Sequence, residues 1–319
     1  MEISKSKRII ELDIARGVAI FLMVLQHSWL LIFSHFTNNP YLDSGVYLLA
    51  IVLGAPVFLF LMGVNIINSH RNNPRSLLIR GLWLIILGYA LSALRFFIPI
   101  ILGQHLGIIS NPENIIYHFQ PIYYLLEVDV LQLAGLSLMA IALLRWQKIK
   151  AEYYLFIAFI VAFISPFLWQ ISLAGFLKYL LDPFIGTDTY VIFPFFSCFF
   201  YPLVGVYFGS LLHKIKNKEL FYKKCFIKLI PVFVIGTIFL LADPNFSGMS
   251  YYRHDLGVSL IFISLIIYWL AFINLNYRKW SVKIINTLTV WSKNVTKIYI
   301  VQWLIIAWLA ILISILTTK

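Results

Sequence analysis

Charge is what this chain has least of. Only 12% of its 319 residues are charged, and just 13 of them are acidic. A water-soluble domain carries about 25% charged residues, so this chain cannot cover a water-facing surface. Cysteine is nearly absent as well: Cys198 and Cys225 stand on different apolar segments, which argues against a disulfide or metal framework. The sequence holds no phosphate-binding glycine loop, no dinucleotide-binding glycine pattern and no His/Glu zinc spacing, so no metal is expected. Low-complexity tracts and a convincing internal repeat are also missing. No stretch between the apolar runs has room for a soluble domain, and residues 1–319 read as one integral-membrane domain.

What is present is apolar and aromatic. Hydrophobic residues make up 61% and aromatic residues 17%, with nine Trp and eighteen Tyr; mean hydropathy is +0.88. Runs near the ~20 residues that a bilayer crossing needs fall at 10–33, 45–68, 77–103, 121–144, 153–174, 191–212, 225–242, 256–275 and 294–316. The stretch 280–293 reads as an interfacial helix or an additional re-entrant piece. The expected fold is therefore all-α, a polytopic membrane helix bundle of about nine to ten transmembrane helices. The first run is long, carries charges and lacks a small-residue cleavage site, so it is not a removable signal.

The basic residues orient the bundle. With a cytoplasmic N-terminus, only Arg95, Lys178, Arg253 and Lys319 of the 25 Lys and Arg fall outside the inner side, as the positive-inside rule requires. The net charge of +12 then faces anionic membrane lipids rather than nucleic acid, and the expected location is the cell (cytoplasmic) membrane. The outer loops are longer. Residues 104–120 carry His105, Glu113 and His118 but no Lys or Arg. Tyr251, Tyr252, Arg253, His254 and Asp255 precede the eighth run; they read as an aromatic belt with a solvated loop, ahead of a sugar-binding role.

Against this background the ionisable residues inside the runs stand out. Asp13, Arg16 and His27 share the first span. Arg16 and His27 are eleven positions apart, about three helical turns, and so lie on one face with Asp13 close by. Buried ionisable groups cost several kcal/mol unless they face protein or water, so such a stripe is a functional-site hypothesis. Histidine can accept and return a proton near neutrality. A local Asp13–Arg16 ion pair with a snorkelling Arg16 is the bland alternative. The fourth span carries Glu127, Asp129 and Gln132, with Arg95 of the third span as their partner, either as a structural ion pair or as a substrate-binding group. Two carboxylates at i, i+2 on a helix diverge by ~160° and cannot act as a pair, so one should face the bundle interior and the other a neighbour or the outer interface.

The first span, Leu12-Asp13-x-x-Arg16-Gly17 with the Arg16-x10-His27 spacing, resembles the signature of the transmembrane acyltransferase superfamily. This group includes the heparan-alpha-glucosaminide N-acetyltransferase and acyltransferase-3 families. Ala55-Pro56 through Gly63-Val64 resembles the second helix of the heparan acetyltransferase branch. Val130-Leu131-Gln132-Leu133-Ala134-Gly135 is similar to its VLQ-x-x-G piece, and Phe193-Pro194 through Gly205 resembles its FP-(x)-P-x-x-G helix. Lys293-Asn294 and Ile298-Tyr299 resemble the start of its terminal helix. Gln302 stands where many relatives carry His, and Asn65 where many carry Ser.

The resemblance implies a transmembrane enzyme that moves an acyl group, acetyl above all, from cytosolic acetyl-CoA to a sugar, glycan or other hydroxyl or amine acceptor at the outer side. Acetyl-CoA would be the donor co-substrate, with Arg16, Arg71, Arg75 and Arg80 attracting its phosphates. His27, about 16 Å further along the helix, would meet the thioester as a general base or as a transient acyl-histidine. A homo-oligomer stays open. The competing class is a carrier or flippase without acyl chemistry, which would leave acetyl-CoA intact.

Overall fold

A computed structural model describes residues 9–33, 36–37, 39–69, 72–109, 120–242 and 252–317, leaving aside the side chains of 47–53. Among the described residues the chain is all-α and polytopic. Seven segments are long and apolar enough to cross a membrane: Ile10–Leu31, Pro74–His105, Ala151–Leu168, Phe195–Lys214, Lys218–Ala242, Leu256–Lys279 and Val295–Leu316.

The two other expected spans, 45–68 and 121–144, are each broken. The first divides into α2 (Pro40–Leu53) and α3 (Ala55–Asn68) at Gly54. Pro56 has no N–H to continue a helix through that point, and its ring fits only the first turn of a new one. The second divides into α6 (Pro121–Leu126) and α7 (Val130–Trp146), separated by an extended Glu127-Val128-Asp129. Around them run α1 (Ile10–Leu31), α4 (Pro74–Ser92) and α5 (Ile98–His105), then α8 (Ala151–Leu168), α9 (Gly175–Ile185), α10 (Phe195–Cys198) and α11 (Phe200–Lys214). The chain ends with α12 (Lys218–Ala242), α13 (Leu256–Asn276), α14 (Val282–Lys293) and α15 (Val295–Thr317). At 12 residues, α14 is about 18 Å long, well short of a ~30 Å hydrocarbon core. It lies against α1 as a separate helix leading into α15.

Side-by-side contacts fix the helix directions. Gly81 meets Gly135 while Gly88 meets Gln132, so α4 and α7 are antiparallel. Gly205 meets Phe60 and Gly209 meets Val64, so α3 and α11 are parallel. Ser165 bonds Ser197 while Phe159 packs on Phe200, making α8 and α11 antiparallel. These pairings suit a chain that reverses at every crossing from α1 to α15. They depend on small residues: a Cβ on Gly63 would stand 2.1 Å from Pro202 O, and one on Gly205 2.2 Å from Phe60 O. In a membrane, where burial of apolar groups gives little drive between helices, close backbone approach supplies the packing. α12 contributes least to the core and turns Phe226, Ile227, Ile230 and Ile238 outward, a face suited to lipid.

Candidate active site

Arg95 is the centre of the polar interior. It is 1% exposed and sits in a single wide π turn, Ala93–Phe97, between α4 and α5. Pro99 explains the turn: lacking an N–H, it cannot bond the Arg95 carbonyl and would crowd it in a tighter helix. Ile98 N–H reaches back to Ala93 O instead, and Leu94 O accepts from Trp308 Nε1 at 3.0 Å. The wide turn thus ties α15 to the third span and swings Arg95 inward, the kind of local widening that often marks a functional position.

Two carboxylates meet Arg95: Glu127 Oε1 at 2.8 Å and Asp129 Oδ2 at 2.9 Å. The expectation that they diverge is therefore corrected. Residues 127–129 are not helical; Val128 pairs with the 190–193 segment, donating to Tyr190 O while its own carbonyl accepts from Ile192 and Phe193. In extended backbone, residues i and i+2 point the same way, so both carboxylates face one guanidinium. Asp129 then caps α7, accepting from Val130 N at 2.7 Å, and Gln132 closes a capping box by accepting from Asp129 N at 3.2 Å. Gln132 Nε2 donates to Glu127 O at 3.0 Å, so both ends of the Gln132 amide serve the backbone. Tyr299 of α15 donates to Asp129 Oδ2 at 2.5 Å. The Arg95 guanidinium lies over the Trp303 ring at 4.3 Å, a cation–π contact. Glu127 Oε2 is buried without a hydrogen-bond partner among the described residues.

His27 stands beside this cluster. Its ring packs on Trp303, centroids 4.3 Å apart, and its Nδ1 lies 3.0 Å from Gln302 Nε2. Three turns earlier on α1, Asp13 and Arg16 are 4.0 Å apart and joined by Ser292, which donates to Asp13 at 2.8 Å and accepts from Arg16 at 3.3 Å. Between the two ends of α1 opens a cavity of about 520 Å³. Arg16, Arg80, Asn65 and Ser69 line one end; Met23, Leu87, Val130, Leu131 and Tyr299 line the other, with apolar walls from Phe58, Met62 and Leu84 between. Met23 is one turn short of His27, so the cavity runs from two arginines to the edge of the Arg95–His27 cluster.

The structure thus brings Arg16 and Arg80 to one end of the cavity. Arg95, Glu127 and Asp129 join one another beyond its other end, reached through Tyr299, with His27 adjoining. None of these four lines the cavity itself. Arg75 is exposed on the first turn of α4 and does not line the cavity. Arg71, Glu113, His118 and Tyr251 lie outside the described residues. The solvated loop expected before α13 is also corrected. His254 is fully buried with its Nδ1 2.6 Å from the Tyr201 hydroxyl, and Arg253 donates to Gly186 O and Asp188 O. Those carbonyls at a sharp turn need donors, and the loop supplies them. Tyr299, Gln302 and Trp303 belong to the site although the sequence patterns assign them no role there. The available signal is Tyr299 and Gln302, a polar pair three positions apart on one face of a largely apolar helix.

Fold and site define a polytopic membrane protein whose polar centre is approached by an apolar channel with a cationic end. The family model described as heparan-alpha-glucosaminide N-acetyltransferase, catalytic, matches residues 8–244. The chain belongs to that family and is a membrane acetyltransferase. No curated protein and no solved structure matches it. The family match ends before α13–α15, yet α15 supplies Tyr299, Gln302 and Trp303 to the site.

Proposed function

We propose that this protein transfers an acetyl group from cytosolic acetyl-CoA to a hydroxyl or amine of a sugar or glycan at the outer side of the cell membrane, with its N-terminus in the cytoplasm. The observation that carries this reading is the cavity of about 520 Å³ with Arg16 and Arg80 at one end and Tyr299 at the other. An elongated, largely apolar channel with a few convergent polar groups suits the pantetheine arm. Two arginines at its end suit the CoA phosphates, which planar guanidinium groups bind through paired hydrogen bonds. The basic inner loops favour the same end as cytoplasmic. The Glu11–Lys218 contact at 3.1 Å gathers the starts of α1 and α12 there.

His27 is the base in this scheme. As the acceptor X–H attacks the thioester carbonyl carbon, His27 Nε2 takes its proton. The C–S bond then breaks, and the imidazolium returns the proton to the departing thiolate, giving acetyl–X and CoA–SH. Arg95, Glu127, Asp129 and Tyr299 hold α7 and α15 in register around the imidazole. Incubating detergent-purified, monodisperse protein with acetyl-CoA and a glucosamine-terminated oligosaccharide tests the reading by release of free thiol. Acceptor-dependent thiol release is expected. Acetyl-CoA that stays intact, with acceptor moved across a vesicle, would establish a carrier instead.

A further inference from the structure

A neutral imidazole has one N–H and one lone pair. Whatever is held against Nδ1 therefore decides what Nε2 can do. In this protein the group held there is the Gln302 amide, 3.0 Å away, on a side chain only 6% exposed. Gln302 Oε1 is buried with no hydrogen-bond partner among the described residues. An amide's oxygen and nitrogen have nearly the same shape, so the same heavy-atom positions serve either orientation. Turned end for end, the amide brings its unpartnered carbonyl oxygen onto Nδ1–H and leaves the Nε2 lone pair free. With the amide nitrogen donating to Nδ1, Nε2 carries the hydrogen and can only donate.

We infer that Gln302 is the positioning residue that selects the tautomer of His27, its carbonyl oxygen accepting from Nδ1–H so that Nε2 faces the reaction as a base. The inference rests on the reading of His27 as general base, and it assigns a role to a residue beyond the span of the family match. The surroundings leave this task to Gln302. Asp129 Oδ2 is engaged by Arg95 and Tyr299, Glu127 Oε1 by Arg95, and Trp303 meets His27 ring to ring. The packing holds the imidazole in place, and among the described residues the amide is the hydrogen-bonding group that distinguishes its two nitrogens.

Two substitutions of similar size separate the possibilities. Gln302→Glu presents an oxygen that accepts, and so keeps Nδ1 protonated. Gln302→Met presents nothing to Nδ1, and an imidazole left to itself favours the Nε2–H form. The direct readout is the ¹⁵N spectrum of histidine-labelled full-length protein in lipid, where protonated and unprotonated ring nitrogens are well separated. The protein has seven histidines, and the His27 signals are those missing from His27→Ala. The wild type and Gln302→Glu should show protonated Nδ1, and Gln302→Met should move the proton to Nε2.

In the thiol-release assay Gln302→Met should lower kcat about tenfold or more, a share of the ~10²–10⁴ that general base catalysis supplies. Its KM for acetyl-CoA should not change, and Gln302→Glu should restore turnover. A wild-type spectrum with the proton on Nε2, or a Gln302→Met spectrum and kcat like wild type, would overturn the inference. If the tautomers behave as stated while His27→Ala turns over normally, tautomer selection holds and the general-base reading of His27 fails.

Discussion

Arg16 and Arg95 are both arginines inside apolar helices, but they are held very differently. The Arg95 side chain is 1% exposed and meets two carboxylates at 2.8 and 2.9 Å, with Trp303 beneath its plane. The Arg16 side chain is 16% exposed, lies 4.0 Å from the Asp13 carboxylate, and faces a cavity. An arginine enclosed as tightly as Arg95 between two carboxylates is placed to join the spans that carry them. One held loosely at a cavity wall can bring its fork to a phosphate. Burial and sequence position alone would rank them the other way, since Arg95 is the deeper and more costly group.

Removing Arg95 should have the largest effect. Arg95→Leu leaves Glu127 and Asp129 without their shared cation, and breaking a buried pair from one side costs about 3–5 kcal/mol. Little monodisperse protein should survive extraction, measured by size-exclusion chromatography. The triple variant Arg95→Met, Glu127→Gln, Asp129→Asn removes the charges together and keeps a residue that can cap α7. It should recover much of the yield. Equal yields of the single and triple variants would show that the ion pairs do not hold the fold.

His27→Ala comes next. The protein should fold and bind acetyl-CoA, because the cavity ends at Met23 and Tyr299, while thiol release falls by at least the ~10² of a lost general base. Turnover near wild type would make the α1 stripe structural.

Arg16→Gln sharpens the comparison from the other side. Ser292 still donates to Asp13, so folding should change little. A hydrogen bond to a charged group is worth about 1.5–3 kcal/mol, so KM for acetyl-CoA should rise about tenfold or more while kcat holds. Arg80→Gln should act the same way, and the exposed Arg75→Gln should not. If Arg75→Gln weakens binding and Arg16→Gln does not, the phosphates sit outside the cavity.

How much of this was legible depends on whether the cause is local. The long apolar runs announce their helices, and an arginine among them demands the nearest acids, so Arg95 with Glu127 and Asp129 could be read directly. That both acids face it could not be read from helical periodicity, because the chain is extended at 127–129. The warning was present: Asp129 followed by Gln132 is a capping-box pattern that starts a helix at Val130, and Pro99 flags the wide turn at Arg95. Tyr299 and Gln302 were visible as polar residues in an apolar span, but their partners lie 170 and 275 positions away in the sequence. The Arg253 clasp was hidden for the same reason, since its acceptors are backbone carbonyls more than sixty residues earlier.

The smallest effect belongs to a third ion pair, the exposed limit of the series. Lys178 Nζ lies 2.5 Å from Asp188 Oδ2, with side chains 30% and 20% exposed. Burial works against the charge of Asp188, but Lys178 and the amide and hydroxyl of Thr189 more than offset it and hold the carboxyl below its usual range. The bond to Asp188 in turn raises the Lys178 ammonium above its usual value. A lowered carboxyl stabilises the fold above its unfolded pKa and stops doing so as pH falls through the folded value. A raised ammonium does so below its unfolded pKa and stops as pH rises through the folded one. The pair should therefore contribute through neutral pH and fade at both extremes. Pairs this exposed are worth about 0.2–1 kcal/mol, so Asp188→Asn should lower the midpoint of thermal unfolding at pH 7 only slightly, and the difference should shrink as the buffer is made acidic. A deficit that persists unchanged in acid would mean that Asp188 acts through the Thr189 turn alone, and that Lys178 adds nothing to the fold.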